Sequence, residues 1–160
     1  KQTLILPVVF SMLVTLQLHA QKTTEMKSYQ DGIFPKGKKA SSENMTGNVW
    51  LHVLTAGDST FDYHIANVTF EPGARTRWHS HPGGQMLIVT EGMGYYQEKG
   101  KPVQTVRKGD VIKCLPNVEH WHGATPKNNF EHIGITNTTS NGIAVWLQPV
   151  TAEEYNSIKE

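Results

Sequence analysis

Two apolar patterns divide the chain. Over residues 4–18 the apolar side chains run almost without interruption. Beyond Gly32 they come in short β-rich runs, each closed by Gly, Pro or Asn. These runs are residues 48–55, 62–71, 85–90, 93–97, 103–107, 111–115, 130–137 and 143–148. The segments between them, such as HPGG, EKGKP, KGD and TTSNG, carry the residues that suit the backbone angles of tight turns. Short strands at regular spacing predict an antiparallel sandwich or barrel. Helical composition is confined to residues 152–158, where Thr151 can cap the first turn and Glu154, three residues on, can complete a capping box. No linker or repeat interrupts the pattern. The chain therefore reads as one all-β domain over residues 32–158, preceded by a polar, flexible leader at 21–31.

The first run has a different meaning. Lys1, the apolar stretch and Ala20 form the charged, apolar and small-residue regions of a signal peptide over residues 1–20. The stretch is shorter than the roughly 20 residues of a spanning helix and contains Pro7 and Gln17. The expectation is an exported protein in a bacterial periplasm, with no membrane attachment after cleavage. Lys plus Arg is 15 and Asp plus Glu is 14. Removing Lys1 leaves 14 of each sign, which excludes the basic surplus of a nucleic-acid binder. The single cysteine, Cys114, excludes an internal disulfide framework and a Cys-rich metal site.

Histidine is the unusual component. Five of the eight histidines lie at positions 79, 81, 120, 122 and 132. In a strand, residues i and i+2 share a face, so His79-Ser80-His81 and His120-Trp121-His122 each project two imidazoles into one space. Gln85 opens the strand after the Pro82-Gly83-Gly84 turn and brings an amide carbonyl beside the first pair. A lone His-x-His is most often a chance pair with local hydrogen bonds; two of them after glycine-marked turns point to a divalent metal. The same alternation turns Trp78 and Trp121 to the opposite face, into core or a subunit contact.

These residues carry a family resemblance. Gly73, His79, His81, Gln85 and Gly92, at the spacing they hold here, resemble the first motif of the cupins; Gly109, Pro116 and His120 resemble the second. Gln85 stands where most cupins have a glutamate, and Ala124 where many have asparagine. The segments FEPGARTRWHSHPGGQMLIVTEGMG, HWHGA and VWLQPVTAEEY are similar to the manganese-dependent cupin hydroxynitrile lyases and to the small cupins associated with carboxymuconolactone decarboxylases. The resemblance implies a jelly-roll β-sandwich or barrel with His79, His81, Gln85 and His120 as metal ligands. The implied ion is Mn, with Fe, Ni, Co or Zn as alternatives. It also implies a pocket lined by Ala66, Val68, Phe70, His122, His132 and Thr136. Within that pocket a neutral imidazole can take or return a proton near neutral pH, so His132 is read as the proton acceptor and His122 in a supporting, hydrogen-bonding role.

A neutral amide in place of a carboxylate leaves a bound divalent ion its full charge. That favours polarising a carbonyl or alkoxide over activating oxygen. The reading is therefore a metal-dependent lyase acting on a small hydroxy or carbonyl compound. The alternatives are a non-catalytic module that binds a small molecule and, less favoured by Gln85, an oxygenase. The expected partners are a small-molecule substrate and a second copy of the chain. The apolar run 48–55 would pair across a two-fold axis, shielding Trp50 or Trp121.

Overall fold

The computed structural model describes residues 32–158, so the expected signal peptide and leader lie outside the described residues. The strands are β1 (Lys38–Lys39), β2 (Met45–Thr46), β3 (Val49–Thr55), β4 (Tyr63–Phe70), β5 (Arg75–Thr76), β6 (His79–Ser80), β7 (Gln85–Glu98), β8 (Gln104–Arg107), β9 (Val111–Cys114), β10 (His120–Ala124), β11 (Phe130–Asn137) and β12 (Val145–Trp146). A short helix, α1 (Ala152–Asn156), follows. The strands form one curled antiparallel sheet in the order β1-β3-β4-β11-β7-β10-β5-β2, while β8 and β9 add to β7, and β6 bridges β10 and β12. No helix among the described residues is long and apolar enough to cross a membrane.

β7 makes the curl. Its first half pairs with β9 and β11, and its second half with β8 and β10. The sequence reads residues 85–90 and 93–97 as two runs because Glu91-Gly92 looks like a turn; the chain instead bends there and continues as one strand. Gly92 sits at φ 73°, and a Cβ at that position would collide with the carbonyl oxygen of Asn129. Only glycine meets both conditions.

Alternation along the strands separates two apolar clusters. Val49, Phe70, Leu87, Val89, Ile112 and Phe130 fill the interior of the curl. The second cluster, Trp78, Tyr95, Trp121, Val150 and Tyr155, lies where α1 docks. A five-residue helix has no stability of its own. Its start is fixed by the predicted capping box, with Glu154 N–H donating to Thr151 Oγ1 at 3.1 Å and Thr151 N–H donating to Glu154 Oε2 at 2.7 Å. The Tyr155 hydroxyl donates to the Ala124 carbonyl at 2.6 Å, and the Arg75 guanidinium lies 4.5 Å from the centre of the Tyr155 ring.

Trp121 is only 1% exposed within the single chain. Of the two places that alternation allows it, the structure selects the core, so its shielding cannot report on a second copy. Strand β3 pairs with β4 along one edge, and β1 covers Trp50 and Leu51 along the other.

Candidate metal centre

The strand alternation that sends Trp78 and Trp121 to the second cluster turns the histidines inward. His79, His81, His120, His122 and His132 are all buried. The His79 ring centre is 5.0 Å from that of His81, 4.3 Å from His120 and 5.3 Å from His122. His81 and His120 lie 5.4 Å apart. One ligand atom each from His79, His120 and His122 falls within 4.8 Å of the others, a group that could hold a metal ion. This triad differs in one member from the imidazoles implied by the resemblance, because His122 stands with His79 and His120 where His81 was expected. His81 nevertheless flanks the same space.

Backbone carbonyls orient the rings. Nδ1 of His79 lies 2.9 Å from Arg77 O, Nδ1 of His120 lies 2.9 Å from Val118 O, and Nδ1 of His81 lies 2.7 Å from Ile143 O. Donation to these carbonyls puts the proton on Nδ1 and leaves Nε2 as a lone-pair donor. Gln85 is set by the same logic. Its Nε2 donates to Thr136 Oγ1 at 2.9 Å, leaving Oε1 as the free end of the amide. Thr136, expected to line the pocket, is thus the residue that orients Gln85.

The remaining pocket residues gather around His132. Its ring centre is 4.8 Å from His122, 5.8 Å from Phe70 and 5.4 Å from Phe130. Ala66 and Val68 are buried on the neighbouring strand, with Val68 directly opposite His132 and Ala66 opposite Gly134. Gly134 lacks the side chain that would otherwise stand among Gln85, His132 and Leu87: a Cβ there would meet Gln85 Nε2 at 3.5 Å and His132 Cε1 at 3.7 Å. Its absence leaves room between the amide and the imidazole.

Burial keeps these imidazoles neutral. It lowers His132 to about 3 and His120 to about 4. It also pushes His79 and His122 well below the ordinary range, helped by their imidazole neighbours, and lowers His81. Neutral imidazole is the form that binds metal.

The residues fit a divalent ion. Nε2 of His81, Nε2 of His120 and Oε1 of Gln85 are buried without hydrogen-bond partners. Each such group costs about 1–3 kcal/mol when left unpaired. Neutral lone-pair donors brought together in this way are satisfied by a cation.

The model of the cupin domain family matches residues 66–132. The chain is also 47% identical over 117 residues to the (R)-mandelonitrile lyase of Granulicella tundricola, covering 73% of this chain and 89% of that protein. The chain is a cupin. Among solved structures, a cupin-like protein from Thermotoga maritima is 54% identical, with a TM-score of 0.75 over 79% of this cupin and 96% of that chain. A cupin-2 domain from Rhodospirillum rubrum shares the fold, with a TM-score of 0.57 at 17% identity, over 74% of this chain and 75% of its own.

Sequence reasoning missed what orients the site. The carbonyls of Arg77, Val118 and Ile143 have no side-chain signature. Trp146, whose ring centre lies 4.9 Å from that of His79, is placed there by the pairing of β12 with β6.

Proposed function

We propose that this cupin is a metal-dependent lyase that cleaves a small cyanohydrin into a carbonyl compound and hydrogen cyanide. One observation carries the reading: a fully buried imidazole, His132, has neither ring nitrogen hydrogen-bonded and stands beside an inward-facing set of neutral metal donors. The 47% identity to a mandelonitrile lyase supports the substrate class.

The ligand set the resemblance implies, His79, His81, Gln85 and His120, would hold the ion, supported by the unpartnered Nε2 of His81 and His120 and Oε1 of Gln85. His122, which the geometry groups with His79 and His120, faces the same space. When bound, it would supply positive charge at the substrate oxygen, undiminished by any carboxylate ligand. Manganese is the ion the resemblance favours. The room beside Gly134 would admit the reacting carbon between Gln85 and His132. Neutral His132 takes the hydroxyl proton, the carbon–oxygen bond becomes a carbonyl, and the bond to the nitrile carbon breaks with its electron pair leaving as cyanide. The proton then passes from His132 to cyanide, which regenerates the neutral imidazole. His122, at 4.8 Å between ring centres, supports His132. Phe70, Val68 and Ala66 wall the pocket with apolar surface and exclude water from the proton transfer.

The test is release of benzaldehyde from mandelonitrile by manganese-loaded protein. His132→Ala should retain the metal and lose at least about 100-fold in kcat, as expected for removal of a general base. Undiminished turnover in that variant would refute the assignment of His132; no turnover by the parent protein would refute the lyase reading.

A further inference from the structure

Trp146 is an aromatic side chain held against the candidate metal centre yet left open to solvent. It lies on a two-residue edge strand, directly opposite His79 in the antiparallel register, so the two side chains share one face. Their ring centres are 4.9 Å apart with planes inclined at 36°. His79 is 1% exposed, whereas Trp146 is 38% exposed. The indole thus has one part against a buried imidazole and another at the surface, as a residue at the mouth of a site would.

Its backbone is fixed on both sides. Ile143, three residues earlier, accepts the hydrogen bond from His81 Nδ1. Immediately afterwards, Leu147 N–H donates to Trp78 O at 2.8 Å, and Trp78 N–H donates to Gln148 O at 3.0 Å. The segment from Ile143 to Gln148 is therefore a strap tied to both histidines of the first pair and to the second core. A tryptophan held this way offers a rigid aromatic surface at little entropic cost on binding.

We infer that Trp146 is a specificity-determining residue: it receives the aromatic ring of the small molecule whose oxygen reaches the candidate metal centre. The inference rests on the reading of that centre as a small-molecule site, and it adds the residue that would set a preference for aromatic over saturated alcohols and carbonyl compounds. Offset or edge-on contact between two aromatic rings contributes beyond the area it buries, enough for roughly a fivefold preference over a saturated ring of similar size.

Calorimetric titration of the manganese-loaded protein with benzyl alcohol and with cyclohexylmethanol tests this without requiring turnover. The parent protein should bind benzyl alcohol about five times more tightly. Trp146→Leu should abolish the preference at unchanged metal stoichiometry, and Trp146→Phe should restore most of it. Should the leucine variant fail to fold, the indole N–H resonance of Trp146, assigned through Trp146→Phe, should still shift with benzyl alcohol in the parent protein. Equal affinity for the two alcohols, no binding of either, or a Trp146→Leu variant that keeps the preference and changes only its oligomeric mass would overturn the inference. Aromatic preference without mandelonitrile cleavage would remove the lyase reading and leave this one standing.

Discussion

The two faces of β10 both bury aromatic rings and treat polar atoms in opposite ways. On the outward face, Trp121 donates its indole N–H to Gln97 Oε1 at 2.8 Å, and Tyr155 beneath it donates to the Ala124 carbonyl. On the inward face, His120 Nε2 and His122 Nδ1 are buried with no partner. Buried polar groups in a structural core are almost always paired, because an unpaired one costs about as much as several packed methylenes contribute. The outward face is organised for stability. The inward face withholds local pairing where a ligand would satisfy it. Trp78 is the exception on the outward side, since its indole nitrogen is unpaired and Lys99 Nζ lies 4.5 Å from the ring centre.

The largest expected effect that tests this contrast is acid unfolding of the metal-free protein. The inward histidines are held neutral in the fold by burial, but in the unfolded chain they take up protons as the pH falls through about 6.5. The unfolded state then binds more protons, so stability falls as the pH drops below that value. The loss continues towards about 4 for His120 and about 3 for His132. Each histidine contributes up to about 1.4 kcal/mol per pH unit in that window. Urea midpoints of metal-free protein should therefore fall steeply between roughly pH 6.5 and 5. A flat profile there would break the comparison from the inward side.

Trp121→Ala probes the outward face. Loss of a fully buried indole should cost about 3–5 kcal/mol in chemical denaturation while leaving the metal stoichiometry of the folded fraction unchanged. Loss of metal in proportion to stability would mean that the two faces are not separable. The smallest effect belongs to Gln85→Glu. A carboxylate oxygen can take the place of the amide oxygen, so metal content should be kept or raised. The extra negative charge should cost mandelonitrile turnover about tenfold, roughly 1.4 kcal/mol. Unchanged turnover would show that the neutrality of Gln85 is not what the chemistry uses.

How far the sequence reveals this arrangement depends on the range of the forces involved. Strand alternation is local, and it correctly turns the four histidines of the two pairs inward and Trp78 and Trp121 outward. The cap of α1 is also local, and the Thr151–Glu154 box forms as read. Longer-range facts are not legible in the same way. The bend in β7 looks like a turn because Gly92 serves a close approach by Asn129, 37 positions later in the chain. β1, β2, β5, β6 and β12 are two residues long, too short for any period, and exist because longer neighbours supply their partners. The gathering of His122 with His79 and His120, and the seat of Trp146, depend on register between distant strands.

The strap also sets an order of events. His81 and the Ile143 carbonyl that fixes its proton are separated by 62 positions. A chain growing from its N-terminus presents both histidines of the first pair long before it contains the group that orients one of them. A nascent fragment ending before Ile143 holds His81 with either nitrogen free to take the proton, and lacks Trp146 over His79. The centre is completed only once residues 143–146 have been synthesised, so a product truncated before them cannot reproduce its geometry.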